Sequence, residues 1–223
     1  VERFEPPVFC YHDIVHNDLV VELFEAAGVV FVDDVDEVVP GAPLMLSAHG
    51  TAPAVVAAAE ARAGVVVDAA CPLVTKVHHE VRTRAAHGDT VVYVGHAGHD
   101  EAIGTMAVAP EAVRLVESVD DVAALARPDG PVALLSQTTL AVEEWADVRS
   151  AVLDRFGEVW GPVRSDLCFA TTNRQAALRA LVPRVDAVVI IGSPTSSNTN
   201  ALERLAHEAA DGRGDEAAPL RVV

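Results

Sequence analysis

Short apolar runs alternate with helical patterns along most of the chain. The runs are continuously apolar, which is typical of strands that are covered on both faces in a parallel sheet. Segments of about 10 to 15 residues with helical periodicity separate most of them, as in β-α units. The predicted strands cover residues 8–11, 29–32, 43–47, 65–68, 90–95, 113–116, 132–136 and 187–192. The pattern therefore predicts an α/β protein with mainly parallel sheets.

Polar residues at the expected helix starts and glycines at the expected helix ends agree with this periodicity. The predicted pairs of capping and terminating residues are Asn17 or Asp18 with Gly28, Thr51 with Gly64, and Thr139 with Gly157. A further helix after Cys168 is predicted to be capped by Thr171 or Thr172. Residues 211–218 form a polar, glycine-containing run, and residues 219–223 resemble a strand.

The composition suits a folded protein and argues against some partners. Of 223 residues, 51% are apolar and 22% are charged, which is enough for a compact unit of one to three small lobes. The formal net charge of -17 disfavours nucleic acid and anionic membrane surfaces as partners. No apolar run reaches the ~18 residues of a membrane span, and residues 1–7 do not read as a signal peptide. We therefore expect a cytoplasmic protein.

The three cysteines Cys10, Cys71 and Cys168 are widely spaced, and their odd number argues against a disulfide framework. They remain as buried thiols, a nucleophile or metal ligands. Cys71 follows a predicted strand and precedes Pro72, a residue type favoured at the first position of a helix. Amide donors and the helix dipole would stabilise a thiolate there. Cys168 has a similar setting, and a buried inert thiol is the alternative for each.

Four predicted strands end in loops of small, hydrogen-bonding residues. These loops are 47–50, 95–99, 136–139 and 192–198. Because ligands of open parallel sheets bind at the carboxyl ends of the strands, these loops are the expected site. The histidines on loops are His12, His16, His49, His96 and His99. Glu101, in the same loop as His99, can serve as a proton donor, and a solvated loop residue is the alternative throughout.

The run Ser196-Ser197-Asn198-Thr199-Asn200 precedes a predicted helix that begins at residue 201. Its hydroxyl, amide and backbone N–H groups suit an oxyanion or phosphate cradle at a helix start. Simple N-capping is the alternative, although that needs only one of these residues. Given the negative net charge, a phosphate would have to be held by such local donors and by protonated histidine.

Seven segments, taken in order along the chain, carry a family resemblance. They are YHDIVHN at 11–17, LSAHG at 46–50, DAACPLVTKVH at 68–78, GHAGHDE at 95–101, QTTL at 137–140, CFATTNRQ at 168–175 and the loop 192–200. The chain closely resembles the 4-hydroxy-3-methylbut-2-enyl diphosphate reductases, the iron-sulfur enzymes that end the non-mevalonate isoprenoid pathway. The resemblance covers nearly the whole chain and is most specific around Cys71.

The resemblance implies a fold of three small α/β lobes around a central 4Fe-4S cluster. It places the lobes at residues 1–71, 72–165 and 166–223, with the first and third lobes incomplete. It also implies that Cys71 and Cys168 are two of the cluster ligands. The iron that such a cluster leaves open would act as a Lewis acid as well as an electron conduit.

The same resemblance implies roles for the loop residues. The implied diphosphate-binding residues are His12, His49, His99, Ser196, Ser197 and Asn198. Glu101 would supply the proton as the substrate hydroxyl leaves as water, and Thr138 would lie near that hydroxyl. A ferredoxin-like or flavodoxin-like protein would deliver two electrons. The products would be isopentenyl and dimethylallyl diphosphate.

Departures from the family pattern leave an alternative open. The family's first cysteine motif would precede residue 1, and a serine-containing loop of the diphosphate pocket would follow residue 223. Ile103 and Ala70 stand where a carboxylate and a threonine are common in the family. Cys10 shares a predicted strand face with His12, so it is hypothesised as a replacement third ligand, with core filling as the alternative. The competing function is that of a catalytically inactive paralogue that at most binds an anionic ligand.

Overall fold

The computed structural model describes residues 3–211 and 221–222, which form three parallel sheets. The first sheet comprises β1 (Val8–Tyr11), β2 (Val29–Val32), β3 (Pro43–Leu46) and β4 (Val65–Asp68), in the spatial order β2-β1-β3-β4. The second comprises β5 (Thr90–Val94), β6 (Val113–Val116), β7 (Val132–Ser136) and β8 (Val159–Trp160), in the order β6-β5-β7-β8. The third pairs β9 (Ala187–Val188) with β10 (Arg221–Val222).

Helices separate most of the strands. Within the described residues they are α1 (Asp18–Ala26), α2 (Pro53–Arg62), α3 (Pro72–His87), α4 (Asp100–Met106), α5 (Val119–Ala124), α6 (Val142–Phe156), α7 (Phe169–Leu181) and α8 (Ser197–Asp211). The α/β class and the parallel sheets predicted from the sequence are confirmed. The lobe boundaries stay a prediction. In this described part, no helix is both long and apolar enough to cross a membrane.

The second sheet is covered on both faces. Val92 and Val94 pack in a cluster with residues of α5 and α6, whereas Val91 and Tyr93 pack on the opposite face with residues of α3 and α4. Since successive side chains of a strand point to opposite faces, every residue of β5 after Thr90 is buried. This two-sided burial is why the strand is continuously apolar rather than alternating.

Cys10 is a core residue of the first sheet. Its side chain is fully buried beside Val8 and Val29, in a cluster that residues of α1 complete. Burial, with a contribution from Asp13, raises the pKa of the Cys10 thiol to about 12. A thiol that stays protonated in an apolar cluster is a poor metal ligand, because metals bind the thiolate. The structure therefore supports core filling over the hypothesised third cluster ligand.

Of the predicted N-caps, Asn17 is confirmed and the threonines are wrong, whereas Gly157 ends α6 as predicted. Asn17 caps α1, accepting the backbone N–H of Val20 at 3.2 Å. The residues before α2, α6 and α7 are Ala52, Ala141 and Cys168, and none makes a side-chain capping bond. The hydroxyls of Thr139 and Thr171 are instead engaged by other polar side chains. The threonines of these loops therefore connect elements rather than start helices.

Two short strands differ from the predictions. β9 covers two residues instead of the predicted 187–192, and Val189 and Ile191 beyond it are 66% and 92% exposed. β8 was missed because two residues give no recognisable apolar run. Of the predicted polar run and strand at 211–223, only Asp211 and the two residues of β10 belong to the described part of the chain.

Candidate active site

Three histidine rings from strand-end segments are in contact. His16 follows β1, His49 follows β3 and His99 follows β5. The His16 and His49 rings are stacked with centroids 4.0 Å apart, and His99 meets them edge-on at 5.2 and 5.9 Å. Both ring nitrogens of His16 and Nδ1 of His49 are buried without a hydrogen-bond partner. Because buried polar atoms are normally paired, these nitrogens are available to a ligand.

His12 lies beside this histidine cluster rather than within it. Its ring stacks on Tyr11 with centroids 4.1 Å apart, and its Nδ1 is 3.0 Å from Oδ1 of Asp100. The sequence interpretation placed His12 in the phosphate-binding set and left out His16. Sequence spacing did not distinguish the two, because a left-handed conformation at His12, with φ of 56°, redirects the chain after β1. Phosphate binding by His12 stays a prediction.

Burial keeps two rings of the histidine cluster, those of His49 and His99, uncharged. It lowers the pKa of His49 and of His99 to about 4, and the neighbouring His16 adds to the effect. The two rings are therefore neutral near pH 7. The hydrogen bond between His12 and Asp100 raises the pKa of His12 and lowers that of Asp100. A bound anion would favour the charged form of each ring, so anion binding would be coupled to proton uptake.

Glu101 is a buried acid at the start of α4. It is 2% exposed, its Oε1 accepts the backbone N–H of Thr138 at 2.7 Å, and its Oε2 accepts the Thr138 hydroxyl at 2.9 Å. Burial raises the pKa of Glu101 to about 7, although the bonds from Thr138 oppose the rise. The alternative of a solvated loop carboxylate is wrong, because Glu101 lies in the first turn of a helix, capped by His99.

The polar run 196–200 lies at the start of α8 and is hydrogen-bonded to neighbouring loops. α8 begins at Ser197, four residues earlier than predicted, so Ser197 and Asn198 lie in its first turn. The Ser197 hydroxyl donates to the carbonyl oxygen of Thr139 at 3.0 Å, and Asn198 Oδ1 accepts the Thr171 hydroxyl at 2.7 Å. These bonds fix the start of α8 against the segments that follow β7 and Cys168.

His16 lines two cavities that also contain the predicted phosphate-binding residues. The first has a volume of about 440 Å³ and is lined in addition by Ser196 and Asn198. The second, of about 460 Å³, is lined in addition by His99 and Ser197. The structure therefore brings His16 and His99 to cavities that residues at the start of α8 also line.

Cys71 and Cys168 occupy equivalent positions before α3 and α7. Each is the N-cap residue of its helix, is half-buried and is not in a disulfide. The N–H of Cys71 donates to the carbonyl oxygen of Ala48 at 3.0 Å, and that of Cys168 donates to Thr138 at 2.8 Å. Ala48 precedes His49 and Thr138 contacts Glu101, so both cysteines adjoin residues of the site.

A partly buried ion pair near Cys168 was missed from the sequence. Asp166 is fully buried, and its two oxygens accept from Lys76 Nζ at 2.5 Å and from the N–H of Ser136 at 3.1 Å. Lys76 lies on α3, the helix that Cys71 precedes. The ion pair therefore ties the two cysteine-bearing segments to the end of β7, which a local sequence pattern cannot predict.

His16, His49 and Asp100 bring possible metal-ligating atoms within 4.8 Å of one another. The His16 and His49 rings, however, lie nearly parallel, with 13° between their planes. An imidazole nitrogen binds a metal in the plane of its ring, at about 2.0–2.1 Å for zinc. Two stacked rings do not direct their lone pairs to one point. The arrangement suits an anion better than a metal ion.

The fold and the site define an α/β protein whose ligand pocket is assembled from loops at the carboxyl ends of parallel strands. The family model described as LytB protein matches residues 1–213. The chain therefore belongs to the LytB family.

Named relatives agree with this assignment. The chain is 47% identical to a 4-hydroxy-3-methylbut-2-enyl diphosphate reductase of Rhodopirellula baltica, over 93% of this chain and 66% of the relative. It is 50% identical to such a reductase of Mycobacterium bovis, over 91% of this chain and 63% of the relative. The chain thus spans about two-thirds of the length of these relatives.

A solved structure is similar along the whole chain. The E-1-hydroxy-2-methyl-but-2-enyl-4-diphosphate reductase from Plasmodium falciparum superposes with a TM-score of 0.91 at 32% sequence identity. The superposition covers 100% of this chain and 68% of the Plasmodium chain. The arrangement of sheets and helices described above is therefore one that a solved reductase also has.

Proposed function

We propose that this chain carries the substrate pocket of an iron-sulfur reductase that removes the hydroxyl group of 4-hydroxy-3-methylbut-2-enyl diphosphate. The observation that carries the proposal is the buried Glu101 carboxyl, bonded to Thr138 and adjoining a histidine cluster with unpartnered nitrogens. An acid at one end and anion donors at the other suit an allylic alcohol that bears a diphosphate. The relatives named above are reductases of that compound.

The diphosphate would be held by local donors. His16, His49 and His99 supply ring N–H groups, and the first turn of α8 adds the side chains of Ser197 and Asn198. The helix dipole at this end of α8 also favours a negative charge. Because the chain carries a net charge of -17, it repels an anion at long range, and these local contacts must offset that repulsion.

Proton delivery would fall to Glu101. With a pKa of about 7, the carboxyl is partly protonated near neutral pH, as a general acid requires. The Thr138 hydroxyl donates to one of its oxygens and holds the acid in place. Removal of the substrate hydroxyl as water consumes two electrons and two protons, and Glu101 would supply the proton that the leaving oxygen takes.

Cys71 and Cys168 would be two thiolate ligands of a 4Fe-4S cluster. Both thiols are half-buried, unlike that of Cys10, and each lies at a helix N-terminus, before α3 and α7. When bound, the cluster supplies electrons and a Lewis-acidic iron for the substrate hydroxyl. Electrons would reach it from a ferredoxin-like or flavodoxin-like protein.

A second candidate function is anion binding without redox chemistry. It is favoured by the cysteine count, because two of the three thiols of the chain are half-buried and Cys10 is buried in the core. A 4Fe-4S cluster that leaves one iron open for the substrate still needs three thiolates, one more than the two half-buried cysteines supply. In that case the same pocket would bind a diphosphate and leave it unchanged.

Pyrophosphate binding tests the pocket itself. We expect the chain to bind inorganic pyrophosphate in isothermal titration calorimetry. We expect His16→Gln to weaken that binding about tenfold, because it removes two buried ring nitrogens that have no other hydrogen-bond partner. The matched control is His207→Gln, at an exposed position of α8. Equal affinities for the wild-type chain and the His16 variant would contradict the assignment of His16.

A turnover assay distinguishes the proposed reductase function from anion binding without redox chemistry. After anaerobic reconstitution with iron and sulfide, a strong reductant and 4-hydroxy-3-methylbut-2-enyl diphosphate should give isopentenyl and dimethylallyl diphosphate. Pyrophosphate binding without these products would favour the non-catalytic function. Absence of pyrophosphate binding would reject both.

A further inference from the structure

Asp100 is an acidic residue in a pocket that is otherwise suited to an anion. Its Oδ1 is 3.0 Å from Nδ1 of His12, and its Oδ2 is 3.8 Å from Nδ1 of His49. Its side chain is only 21% exposed. By Coulomb's law alone, this carboxylate would repel a bound phosphate. The position of Asp100 in this pocket therefore calls for a role that compensates for its repulsion of the phosphate.

The contact with His12 is part of a constrained arrangement. Among the described residues, His12 is the one non-glycine residue with a positive φ. Its backbone N–H donates to the carbonyl oxygen of Val32 at 2.9 Å, and its ring is held between Tyr11 and Asp100. A left-handed conformation at such a residue persists only where the surroundings enforce it. Asp100 therefore belongs to a defined structure and not to a solvated loop.

We propose that Asp100 is a positioning residue of the anion pocket, which accepts a hydrogen bond from Nδ1 of protonated His49 and leaves the opposite nitrogen, Nε2, to donate to a bound phosphate. The inference rests on the proposed anion-binding function of the pocket. In the structure, His49 Nδ1 is buried, has no hydrogen-bond partner and faces the free oxygen of Asp100. Protonation of the ring on anion binding would convert this 3.8 Å approach into a charge-assisted bond.

The surrounding charges explain why His49 needs such support. Burial and the neighbouring histidines disfavour the charged ring, whereas Asp100 favours it. The titratable groups that act on Asp100 and His49 are His12, which follows β1, His16 before α1, and His99 after β5. Farther out, Asp33 acts on His12, Asp33 and Asp34 act on Tyr11 of β1, and His96 acts on His99. Of these, Asp100 is the carboxylate that approaches His49 within ion-pair distance.

The direction in which Asp100→Asn changes pyrophosphate affinity distinguishes a positioning role of Asp100 from simple repulsion. If Asp100 supports protonated His49, Asp100→Asn should weaken inorganic pyrophosphate binding at pH 7 about fivefold or more. Calorimetry in two buffers with different ionisation enthalpies should then also find fewer protons taken up on binding. Asp100→Glu should restore part of the affinity. If Asp100 only repels phosphate, Asp100→Asn should bind more tightly with unchanged proton uptake, and that result overturns the proposal.

Matched variants keep the test interpretable. Asp120→Asn removes the same charge from an exposed position in the first turn of α5, and it should not weaken binding. Asp100→Ser, which keeps a small polar residue in the first turn of α4, replaces Asp100→Asn if that variant unfolds. A wild-type chain that binds no pyrophosphate would reject the proposed anion pocket itself. Binding that is equal in the wild-type chain and the Asp100 variants would reject only the role of Asp100.

Discussion

Replacement of Glu101 by glutamine should lower reductive turnover at least about 100-fold and leave pyrophosphate affinity within about twofold. General acids contribute about 10²–10⁴ to a rate, and an amide cannot supply the proton. Glutamine keeps the shape of the side chain, and its carbonyl oxygen can still accept the N–H of Thr138. Anaerobic turnover and calorimetry on the same preparation measure the two effects. The matched control is Glu111→Gln, at an exposed position before β6.

The same variant should be more stable than the wild-type chain at alkaline pH. The pKa of this carboxyl is 4.5 in the unfolded chain and about 7 in the folded chain. Below pH 4.5 the carboxyl is protonated in both states and does not lower the free energy of unfolding. Stability is then lost progressively up to pH 7, because the unfolded chain releases the proton first. Above pH 7 the loss amounts to about 3 kcal/mol, which Glu101→Gln should recover in urea unfolding at pH 8 but not at pH 4.5. Equal stabilities at pH 8, or undiminished turnover, would contradict this account of Glu101.

The variants Cys71→Ser and Cys168→Ser should each lose most of the iron and sulfide that the wild-type chain incorporates on anaerobic reconstitution. Serine has nearly the same size, but its hydroxyl is a hard, weakly acidic donor that replaces a soft thiolate poorly. Iron and sulfide per chain and the visible iron-sulfur absorbance measure the effect. Pyrophosphate binding should persist in both variants, since the thiols are not part of the histidine cluster.

Cys10 provides the control for the cysteine series. Cys10→Ala keeps an apolar side chain in the core and should incorporate as much iron and sulfide as the wild-type chain. A loss with Cys10→Ala in a folded protein, or normal incorporation in either serine variant, would contradict the ligand assignment.

The regular parts of this fold were predictable because their signals are local. The runs at Val29–Val32, Val65–Asp68 and Val132–Ser136 are apolar except for the last residue of the second and third, and the structure places strands with the same bounds there. Cys71 precedes a helix as predicted, since Pro72 marks that start. The helix after Cys168 is also present, but it begins at Phe169 rather than after the predicted caps Thr171 or Thr172.

The contacts of the site depend on residues far apart in sequence, and they were less predictable. The pairing of His12 with Asp100 and the burial of Glu101 against Thr138 join loops that only the folded chain brings together. The ion pair between Lys76 and Asp166 spans 90 residues and has no sequence signature. The threonine caps were wrong because α2, α6 and α7 begin after other residues. Of these threonines, Thr171 donates to the distant Asn198, whereas the Thr139 hydroxyl accepts from the nearby Gln137.

The most direct test of the site is the titration of Glu101 in the presence and absence of pyrophosphate. Carbon-13 NMR of side-chain-labelled glutamate, with the signal assigned by its loss in Glu101→Gln, follows this one carboxyl. We predict a pKa of about 7 in the free chain, and a rise of about one unit with pyrophosphate, because a nearby anion disfavours the carboxylate. A pKa near 4.5, or one that pyrophosphate leaves unchanged, would contradict the placement of a buried acid beside the anion pocket.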